Sequence, residues 1–291
     1  MIYLTGFADE AAADIAGQIR ATQQLGWTNI ESRAVNGKNL HDLPEEDFDA
    51  VYGALSEAGI RVNCFGSAIA NWSKHLRTVP FESDLESAKR AVTRMKRLGT
   101  KLIRIMSYPV IQEEGGLHAA NQMFEERVRR LNILVPMFTS EGLLPVHENC
   151  SNYGGMSWIH TLQLLERVPG MKLVFDTGNP VSTDDILKPA PCPKQNAWEF
   201  YDKVKEHVAY VHIKDGIVKD GQCVWCWPGE GMGNVRRICA DLIARGYQGG
   251  ISIEPHMKVV YHDPSITTDD QARFATYVEY GKRMEALLGE L

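Results

Sequence analysis

Residues 172–178 read Lys-Leu-Val-Phe-Asp-Thr-Gly, an apolar run that closes with a carboxylate at Asp176. Short runs rich in Val, Ile and Leu are typical of parallel strands that are buried on both faces. Similar runs recur along the whole chain of 291 residues. Together they predict eight strands, at 2–7, 29–33, 61–67, 101–107, 143–149, 172–178, 208–214 and 249–255.

Helical periodicity fills the intervals between these runs. It is clearest at 81–98, where apolar residues recur every three or four positions and Ser83 with Glu86 resembles a capping box. A glycine follows six of the predicted helices and tolerates the left-handed backbone that ends a helix, so the link to the next strand can be short. These glycines are Gly26, Gly59, Gly99, Gly142, Gly170 and Gly246.

Long connections follow the strands rather than the helices, and long loops in a compact domain are usually functional. They cover residues 68–80, 109–119, 180–196, 216–234 and 257–268. Alternating strands and helices, with the surplus chain at the carboxyl ends of the strands, predict an α/β fold of the (β/α)₈ TIM barrel type. We expect one domain over residues 1–291. A doubly wound open sheet is the second choice, because no G-x-G-x-x-G follows the first strand.

The composition and net charge of the chain limit the classes of molecule that we expect it to bind. The chain has 31 Lys and Arg against 37 Asp and Glu, a net charge of −6, and no basic block. We therefore expect neither nucleic acid nor a membrane surface as a partner. Six cysteines are too few for a disulfide framework, and neither a signal sequence nor a long apolar run is visible. The sequence predicts a cytoplasmic protein with reduced thiols.

The last four predicted strands each end in a side chain that can bind a metal ion. Because strand ends in a barrel meet at one rim, we expect these side chains to converge. Three carboxylates and one imidazole suit a divalent cation, with Mn²⁺ first and Mg²⁺, Co²⁺ or Zn²⁺ as the other candidates. The four residues, called the quartet below, are Glu148, Asp176, His212 and Glu254.

The quartet, together with Gly6-Phe7-Ala8-Asp9-Glu10 and Gly229-Glu230-Gly231, resembles the xylose isomerase-like TIM barrel superfamily of sugar isomerases and epimerases. Ketose 3-epimerases and inosose dehydratases belong to this superfamily, and the resemblance extends over essentially the whole chain. It implies that the quartet holds a divalent ion. It further implies that Glu148 and Glu254 exchange the proton of a substrate carbon from its two faces, and that the substrate is a small sugar.

These residue types suit proton abstraction next to a carbonyl. A divalent ion that binds a carbonyl and the adjacent hydroxyl stabilises an enediolate, and a carboxylate on each face can remove and return the proton. We therefore expect an isomerase or epimerase that acts on a keto-sugar or a related polyol ketone.

Two positions depart from the epimerase pattern. Asn179 stands three residues after Asp176, where those relatives carry histidine. Lys214 and Asp215 stand near the position of an arginine. The predicted metal site does not depend on these two positions, but the choice of reaction does. A metal-dependent lyase or dehydratase that acts on 3-keto-sugars, keto-glycosides or inososes is the second candidate, because it uses the same proton abstraction and then expels a β-oxygen.

Alternation along the strands supplies further catalytic candidates. Lys214 shares a face with His212, and His256 shares a face with Glu254 if the strand continues. Lys214 could hold a hydroxyl or stabilise an oxyanion, or form a plain ion pair with Asp215. His256 could act as an acid or base, or support another residue.

Other signals are weaker. Residues 223–226 form a single C-x-x-C with no second pair, which argues against zinc or redox function. Trp225 and Trp227 could stack on a sugar ring or anchor their loop. Arg104 and Asn63 could contact substrate or form polar layers of the barrel interior.

Four further hypotheses follow from the sequence. His147 should face the helices and have a structural role. An endonuclease IV-like activity would need more histidines and a phosphate-binding surface, and a non-catalytic sugar-binding barrel would not depend on metal. The helix expected at 269–288 could cap the barrel or pack in a homo-oligomer.

Overall fold

Each of the eight apolar runs forms a parallel strand where the sequence predicts one. The structure is a computed structural model that describes residues 2–113, 121–257 and 269–291. Parts of two predicted long connections, 114–119 and 258–268, lie outside the described residues. The strands are β1 (Tyr3–Gly6), β2 (Asn29–Ser32), β3 (Ala34–Val35), β4 (Lys38–Asn39), β5 (Arg61–Gly66), β6 (Leu102–Ile105), β7 (Leu144–Glu148), β8 (Lys172–Asp176), β9 (Val208–Ile213), β10 (Asp215–Lys219), β11 (Gln222–Cys226) and β12 (Gly250–Ile253).

The α-helices lie between the barrel strands. They are α1 (Ile15–Gln24), α2 (Glu45–Ala58), α3 (Glu82–Leu98), α4 (Phe124–Thr139), α5 (Trp158–Arg167), α6 (Asn179–Ser182), α7 (Ala197–Val204), α8 (Val235–Ala244) and α9 (Asp270–Gly289). The six glycines predicted to end helices all have a positive φ, between 67° and 89°. The predicted capping box of α3 is wrong, because Ser83 Oγ donates to the Pro80 carbonyl at 3.0 Å and no side chain caps the helix.

The eight barrel strands pair in the order β1-β12-β9-β8-β7-β6-β5-β2. A single parallel bridge, between Phe7 and Glu31, joins the two ends of this sheet and nearly closes it. The predicted single-domain (β/α)₈ barrel is therefore confirmed, while the domain limits at residues 1 and 291 remain a prediction. The order makes β7, β8, β9 and β12 four consecutive neighbours, which is the arrangement that the quartet requires.

Strand alternation decides which side chains enter the barrel. Val146, Val174 and Tyr210 pack together with Cys64 in a small interior cluster. The outward neighbour Phe175 instead packs edge to face against helix α7. Residues two positions further along β7, β8 and β9 therefore also point inward, and these are the quartet members of those strands.

The connection after β9 is a structured insertion, because β10 and β11 pair as an antiparallel hairpin. Helix α9 follows β12 along the chain and packs against α1 and α8. Arg273 of α9 donates to the backbone carbonyls of Asp9 and Glu10. The predicted terminal helix therefore supports the loop after β1. Within the described ranges, none of the helices combines the length and the apolar character that a membrane crossing requires.

Candidate active site

The structure brings the quartet together at one rim of the barrel. One ligand atom from each of Glu148, Asp176, His212 and Glu254 lies within 4.8 Å of the others. All four side chains are buried, with exposures of 3% or less. Three carboxylates in so small a volume repel each other, so a cation at their centre would stabilise the arrangement.

Two atoms of the quartet have no hydrogen-bond partner among the described residues, Asp176 Oδ2 and His212 Nδ1. The other carboxylate oxygen of Asp176 accepts from the amides of Gly178 and Asn179 at 2.8 and 2.7 Å. His212 Nδ1 lies 3.5 Å from Glu148 Oε1. Both atoms are buried and lack a hydrogen bond, and the Lys214 ammonium lies 3.3 Å from Asp176 Oδ2 as an ion-pair partner. Buried polar atoms with unused hydrogen-bonding capacity are costly. The donor set therefore fits a divalent cation.

Glu31 holds the opposite nitrogen of His212. Nε2 lies 3.1 and 3.0 Å from the two oxygens of Glu31, a residue with 0% exposure on β2. A carboxylate in this position orients a metal-binding imidazole and raises its basicity. Burial alone would lower the pKa of His212, but Glu31 and Glu148 raise it to about 10. A proton and a metal ion would therefore compete for Nδ1.

Lys214 points into the quartet, as alternation predicts. Its Nζ lies 3.0 Å from Glu254 Oε2 and 3.3 Å from Asp176 Oδ2. Burial would lower the pKa of Lys214, but these two carboxylates outweigh burial and raise it. The alternative ion pair with Asp215 is not the arrangement found, because the Asp215 carboxylate accepts hydrogen bonds from four backbone amides.

Glu148 is held from two sides. Arg104 Nη1 lies 2.9 Å from Oε2, and Asn179 Nδ2 donates to Oε1 at 3.0 Å. Burial acts to raise the pKa of Glu148, but Arg104 and His212 together lower it to about 2. Arg104 thus takes the role of a site residue, whereas Asn63 bonds to Tyr210 inside the barrel and belongs to a polar interior layer.

Glu254 has an arginine of its own that the sequence did not reveal. Arg33 Nη1 lies 2.7 Å from Glu254 Oε1, and Arg33 Nε lies 2.9 Å from Asp9 Oδ2. The guanidinium carbons of Arg33 and Arg104 stand 4.5 and 5.1 Å from the centroid of the Phe7 ring. One buried aromatic ring therefore supports both arginines, and each arginine holds one of the two glutamates.

His256 lies beside Glu254 and is held by Glu10. Its Nδ1 is 2.8 Å from Glu10 Oε1, and its backbone amide donates to Glu10 Oε2 at 2.8 Å. Nε2 lies 3.7 Å from Glu254 Oε1. The backbone of His256 has a φ of 55°, which is costly for a side chain of this size and is maintained by the Glu10 bonds.

His147 lies behind the strand, away from the quartet. Its Nε2 is 2.9 Å from Ser107 Oγ, and burial lowers its pKa to about 4. A Cβ on Gly154 would lie 2.3 Å from the His147 ring. His147 is therefore packed against the loop after β7, in the structural position that alternation predicts.

The structure distinguishes among the weaker candidates from the sequence, which are the C-x-x-C at 223–226, Trp225 and Trp227. In the described part of the chain, Cys223 and Cys226 join no group of metal-ligand side chains. The Trp225 ring lies 5.2 Å from Lys214 Nζ and 5.7 Å from the His256 ring, so it faces the site. Trp227 packs on Tyr280 and Arg283 and is a loop anchor.

The quartet opens into a cavity of about 710 Å³, its open mouth included. Glu148, Glu254, Lys214 and His256 line it, whereas Asp176 and His212 lie deeper. The sequence did not identify several other lining residues, because their positions in irregular loops carry no periodic signal. They are Arg33, Asn39, Ala68, Asn71, Trp72, Cys150 and Ser151.

Solved structures share this architecture at low sequence identity. A xylose isomerase-like TIM barrel protein from Mycobacterium smegmatis, in complex with magnesium, is 15% identical, with a TM-score of 0.68 over 99% of this chain and 97% of that one. The probable 3-DHS dehydratase AsbF from Bacillus anthracis is 14% identical, with a TM-score of 0.67 over 98% and 99%. The 3-keto-D-glucoside 4-epimerase YcjR from E. coli is 16% identical, with a TM-score of 0.62 over 97% and 98%.

These likenesses show a common fold. No curated protein sequence matches the chain. The family model of the xylose isomerase-like TIM barrel matches residues 19–277, which is most of the chain. The chain therefore belongs to the xylose isomerase-like TIM barrel family.

Proposed function

We propose that this protein is a divalent-metal-dependent sugar isomerase or epimerase that removes a proton next to the carbonyl of a keto-sugar or related polyol ketone. The observation that carries the proposal is the convergence of the quartet, whose ligand atoms lie within 4.8 Å of one another on four buried side chains. Mn²⁺ is the first candidate for the ion, and Mg²⁺, Co²⁺ and Zn²⁺ are the others.

The quartet would hold the ion, which when bound would polarise a substrate carbonyl and its neighbouring hydroxyl. Glu254 is the candidate base, because it lines the cavity and is kept in place by Arg33 and Lys214. Glu148 lies within reach of the same central point and lines the same cavity, so it can return the proton from the other side. General acid and base groups of this kind commonly contribute about 10²- to 10⁴-fold in rate.

Lys214 supplies positive charge where the substrate gains negative charge. Its ammonium lies between Asp176 and Glu254, beside the position that the reacting carbon would take next to Glu254. A hydrogen bond from Nζ to the developing oxyanion would stabilise the enediolate more than the ketone. Asn179 would keep Glu148 aimed at the substrate through its 3.0 Å bond.

Related structures support this reaction class without deciding among its members. One of the neighbours named above is described as a 3-keto-glucoside epimerase and another as a probable dehydratase. The magnesium complex among them is consistent with a divalent ion in this fold.

A lyase is the second candidate function, and His256 is the observation that favours it. The ring is held at Nδ1 by Glu10, and it lies in the cavity beside Glu254. A side chain so placed could donate a hydrogen bond to a departing β-oxygen after proton removal at the neighbouring carbon.

The test is solvent deuterium incorporation into a 3-keto-sugar and into a free ketose, with Glu254→Gln, Glu148→Gln and the exposed Glu57→Gln as matched control. We expect both site variants to lose at least about 10²-fold in exchange rate and the control to keep it. Chelation should abolish exchange, and Mn²⁺ should restore it. Exchange at the wild-type rate in Glu254→Gln would refute its role as base, and enone absorbance with release of an alcohol would identify the lyase.

A further inference from the structure

We propose that Lys214 is a built-in cation of the metal site, whose ammonium competes with the divalent ion for two of the four ligands and moves toward Trp225 when the ion binds. The inference rests on the proposed function and concerns how that site is loaded. Three distances from Lys214 Nζ carry it. They are 3.0 Å to Glu254 Oε2, 3.3 Å to Asp176 Oδ2 and 5.2 Å to the centroid of the Trp225 ring.

Each carboxylate of the quartet has one oxygen bound by a group outside the quartet. One arginine binds Glu148 Oε2, another binds Glu254 Oε1, and backbone amides bind Asp176 Oδ1. The second oxygen of each carboxylate is therefore the one that can bind an ion among the four residues. The Lys214 ammonium contacts two of these three oxygens.

A divalent ion and the Lys214 ammonium cannot share these oxygens without strong repulsion. An ion that binds Glu254 Oε2 at about 2.1 Å, as Mg²⁺ does, would lie no more than about 5 Å from an ammonium 3.0 Å from the same oxygen. Both side chains are only 4% exposed, so water screens the two positive charges little. Binding of the ion therefore requires the ammonium to leave, and that displacement reduces the affinity for the ion.

Lys214 supplies the positive charge that Asp176 requires before an ion binds. Asp176 is completely buried, and within the described ranges Lys214 is the one ion-pair partner of its carboxylate. Arginines neutralise Glu148 and Glu254 instead. A buried carboxylate without a cation is strongly destabilising. The ammonium thus holds the ligands together until the ion takes over its charge.

The face of Trp225 offers the ammonium a second position. The ring belongs to β11 of the hairpin, and a distance of 5.2 Å is within the range of a cation–π interaction. Lys214 also lines the cavity, so an ammonium that leaves Asp176 stays beside the substrate. Loading of the ion would therefore free the charge that stabilises the developing oxyanion.

The stem of Lys214 is held in place, so that only its end can change position. The Lys214 amide donates to Thr177 Oγ1 at 3.1 Å, and this hydroxyl donates to the Lys214 carbonyl at 2.7 Å. A Cβ on Gly178 would lie 2.7 Å from Lys214 Cγ, which means that the stem packs closely on this glycine. The ammonium therefore pivots between two positions without movement of the strand.

The first experiment titrates the chelated protein with Mn²⁺ by calorimetry. We expect Lys214→Met to bind Mn²⁺ at least about tenfold more tightly than the wild type, because no cation has to be displaced. The same variant should exchange deuterium more slowly, since it lacks the ammonium for the oxyanion. A purely structural lysine would instead weaken metal binding and slow exchange together. Lys205→Met, which alters a lysine that pairs with Asp202 and Asp241, is the matched control and should bind as the wild type does.

The second experiment follows tryptophan fluorescence during titration with Mg²⁺, which has no unpaired electrons to quench the signal. The wild type should show a saturable change as the ammonium approaches Trp225. Trp225→Phe and Lys214→Met should lose this change. Trp227→Phe, at a ring that packs on Tyr280, is the control and should keep it. This test requires only the wild type and the tryptophan variants, so it holds even if Lys214→Met does not fold.

Unchanged or weaker Mn²⁺ binding in Lys214→Met would overturn the proposal, and so would a fluorescence change that persists in Trp225→Phe. Lys214→Arg keeps the positive charge and should bind Mn²⁺ no more tightly than the wild type. A wild type that binds no divalent ion contradicts the proposed function and this inference together. A wild type that binds Mn²⁺ and exchanges deuterium, while Lys214→Met binds no more tightly, contradicts this inference alone.

Discussion

Glu31 reaches across the barrel to His212, with both of its oxygens within 3.1 Å of Nε2. The two residues are 181 positions apart in the chain, and both are completely buried. Their contact decides which ring nitrogen remains for the quartet. The orientation of the only imidazole in the quartet therefore depends on a residue from β2 rather than on its own strand.

Replacing Glu31 by Gln should weaken metal binding about 10- to 100-fold, since the neutral amide no longer raises the basicity of the ring or fixes its tautomer. Calorimetric titration of the metal-free protein with Mn²⁺ measures this directly. Glu57→Gln, at an exposed position of α2, is the control and should bind as the wild type does. An unchanged dissociation constant in Glu31→Gln would mean that His212 is oriented by other contacts.

Arg104→Met should destabilise the metal-free protein by about 3 to 5 kcal/mol, because it leaves the Glu148 carboxylate buried without its arginine. Both side chains are 6% exposed or less. The matched control is Arg129→Met, which breaks a pair with Glu126 in which the arginine is 54% exposed and which should cost less than about 1 kcal/mol. Urea unfolding gives both values. Adding Glu148→Gln to Arg104→Met should recover part of the loss, and no recovery would contradict the explanation.

The strand ends could be predicted from sequence because two rules suffice for them. Apolar runs locate parallel strands, and a barrel brings all their carboxyl ends to one rim. The quartet follows from these rules, and so does the inward direction of Lys214, which shares a face with His212. The ion-pair partners of Lys214 could not be predicted from these rules, because alternation gives the direction of a side chain but not the residues that it contacts.

The supporting residues could not be predicted, because their contacts cross the barrel between distant segments. Arg33 contacts Glu254, which is 221 positions away in the sequence, and Glu10 contacts His256, which is 246 positions away. No periodic pattern links such pairs. A buried charge requires a partner, so Arg33, which directly follows β2, was a sequence signal that a buried carboxylate lies nearby. The partner itself is set by the closure of β1 against β2 and β12.

Asp215→Asn should loosen the loop that closes over the hairpin of β10 and β11. The Asp215 carboxylate accepts from the amides of Gly216, Gly229, Gly231 and Gly233 at 2.8 to 3.0 Å. The amide group of asparagine brings a donor against these donors, so we expect a loss of at least about 2 kcal/mol in the free energy of unfolding.

Hydrogen exchange at residues 229–233 checks this prediction locally. These amides should exchange faster in Asp215→Asn than in the wild type, while the amides of β7 should not change. Asp220→Asn, at the exposed tip of the hairpin, is the control and should leave exchange as it is. Unaltered protection in Asp215→Asn would show that the glycine loop is held by other bonds.

His41 should make stability depend on pH in the acid range. Burial lowers its pKa from the ordinary 6.5 to about 4; Asp42 opposes this shift, while Arg90, Arg94 and Lys74 add to it. Between about pH 4 and pH 6.5 the His41 imidazole is therefore neutral in the folded state and protonated in the unfolded chain. The contribution of the neutral imidazole to the free energy of unfolding is fully present above pH 6.5 and decreases as the pH falls toward 4. In full it amounts to about 3 kcal/mol.

Urea midpoints between pH 7 and pH 4.5 measure this dependence in the wild type and in His41→Gln. The variant has no imidazole to titrate, so its stability should fall less steeply below pH 6.5, and the gap between the two curves should narrow or reverse toward pH 4.5. His207→Gln, at a half-exposed position, should keep the wild-type slope. Parallel curves for the wild type and His41→Gln would show that this imidazole takes up its proton as readily in the folded state as in the unfolded chain.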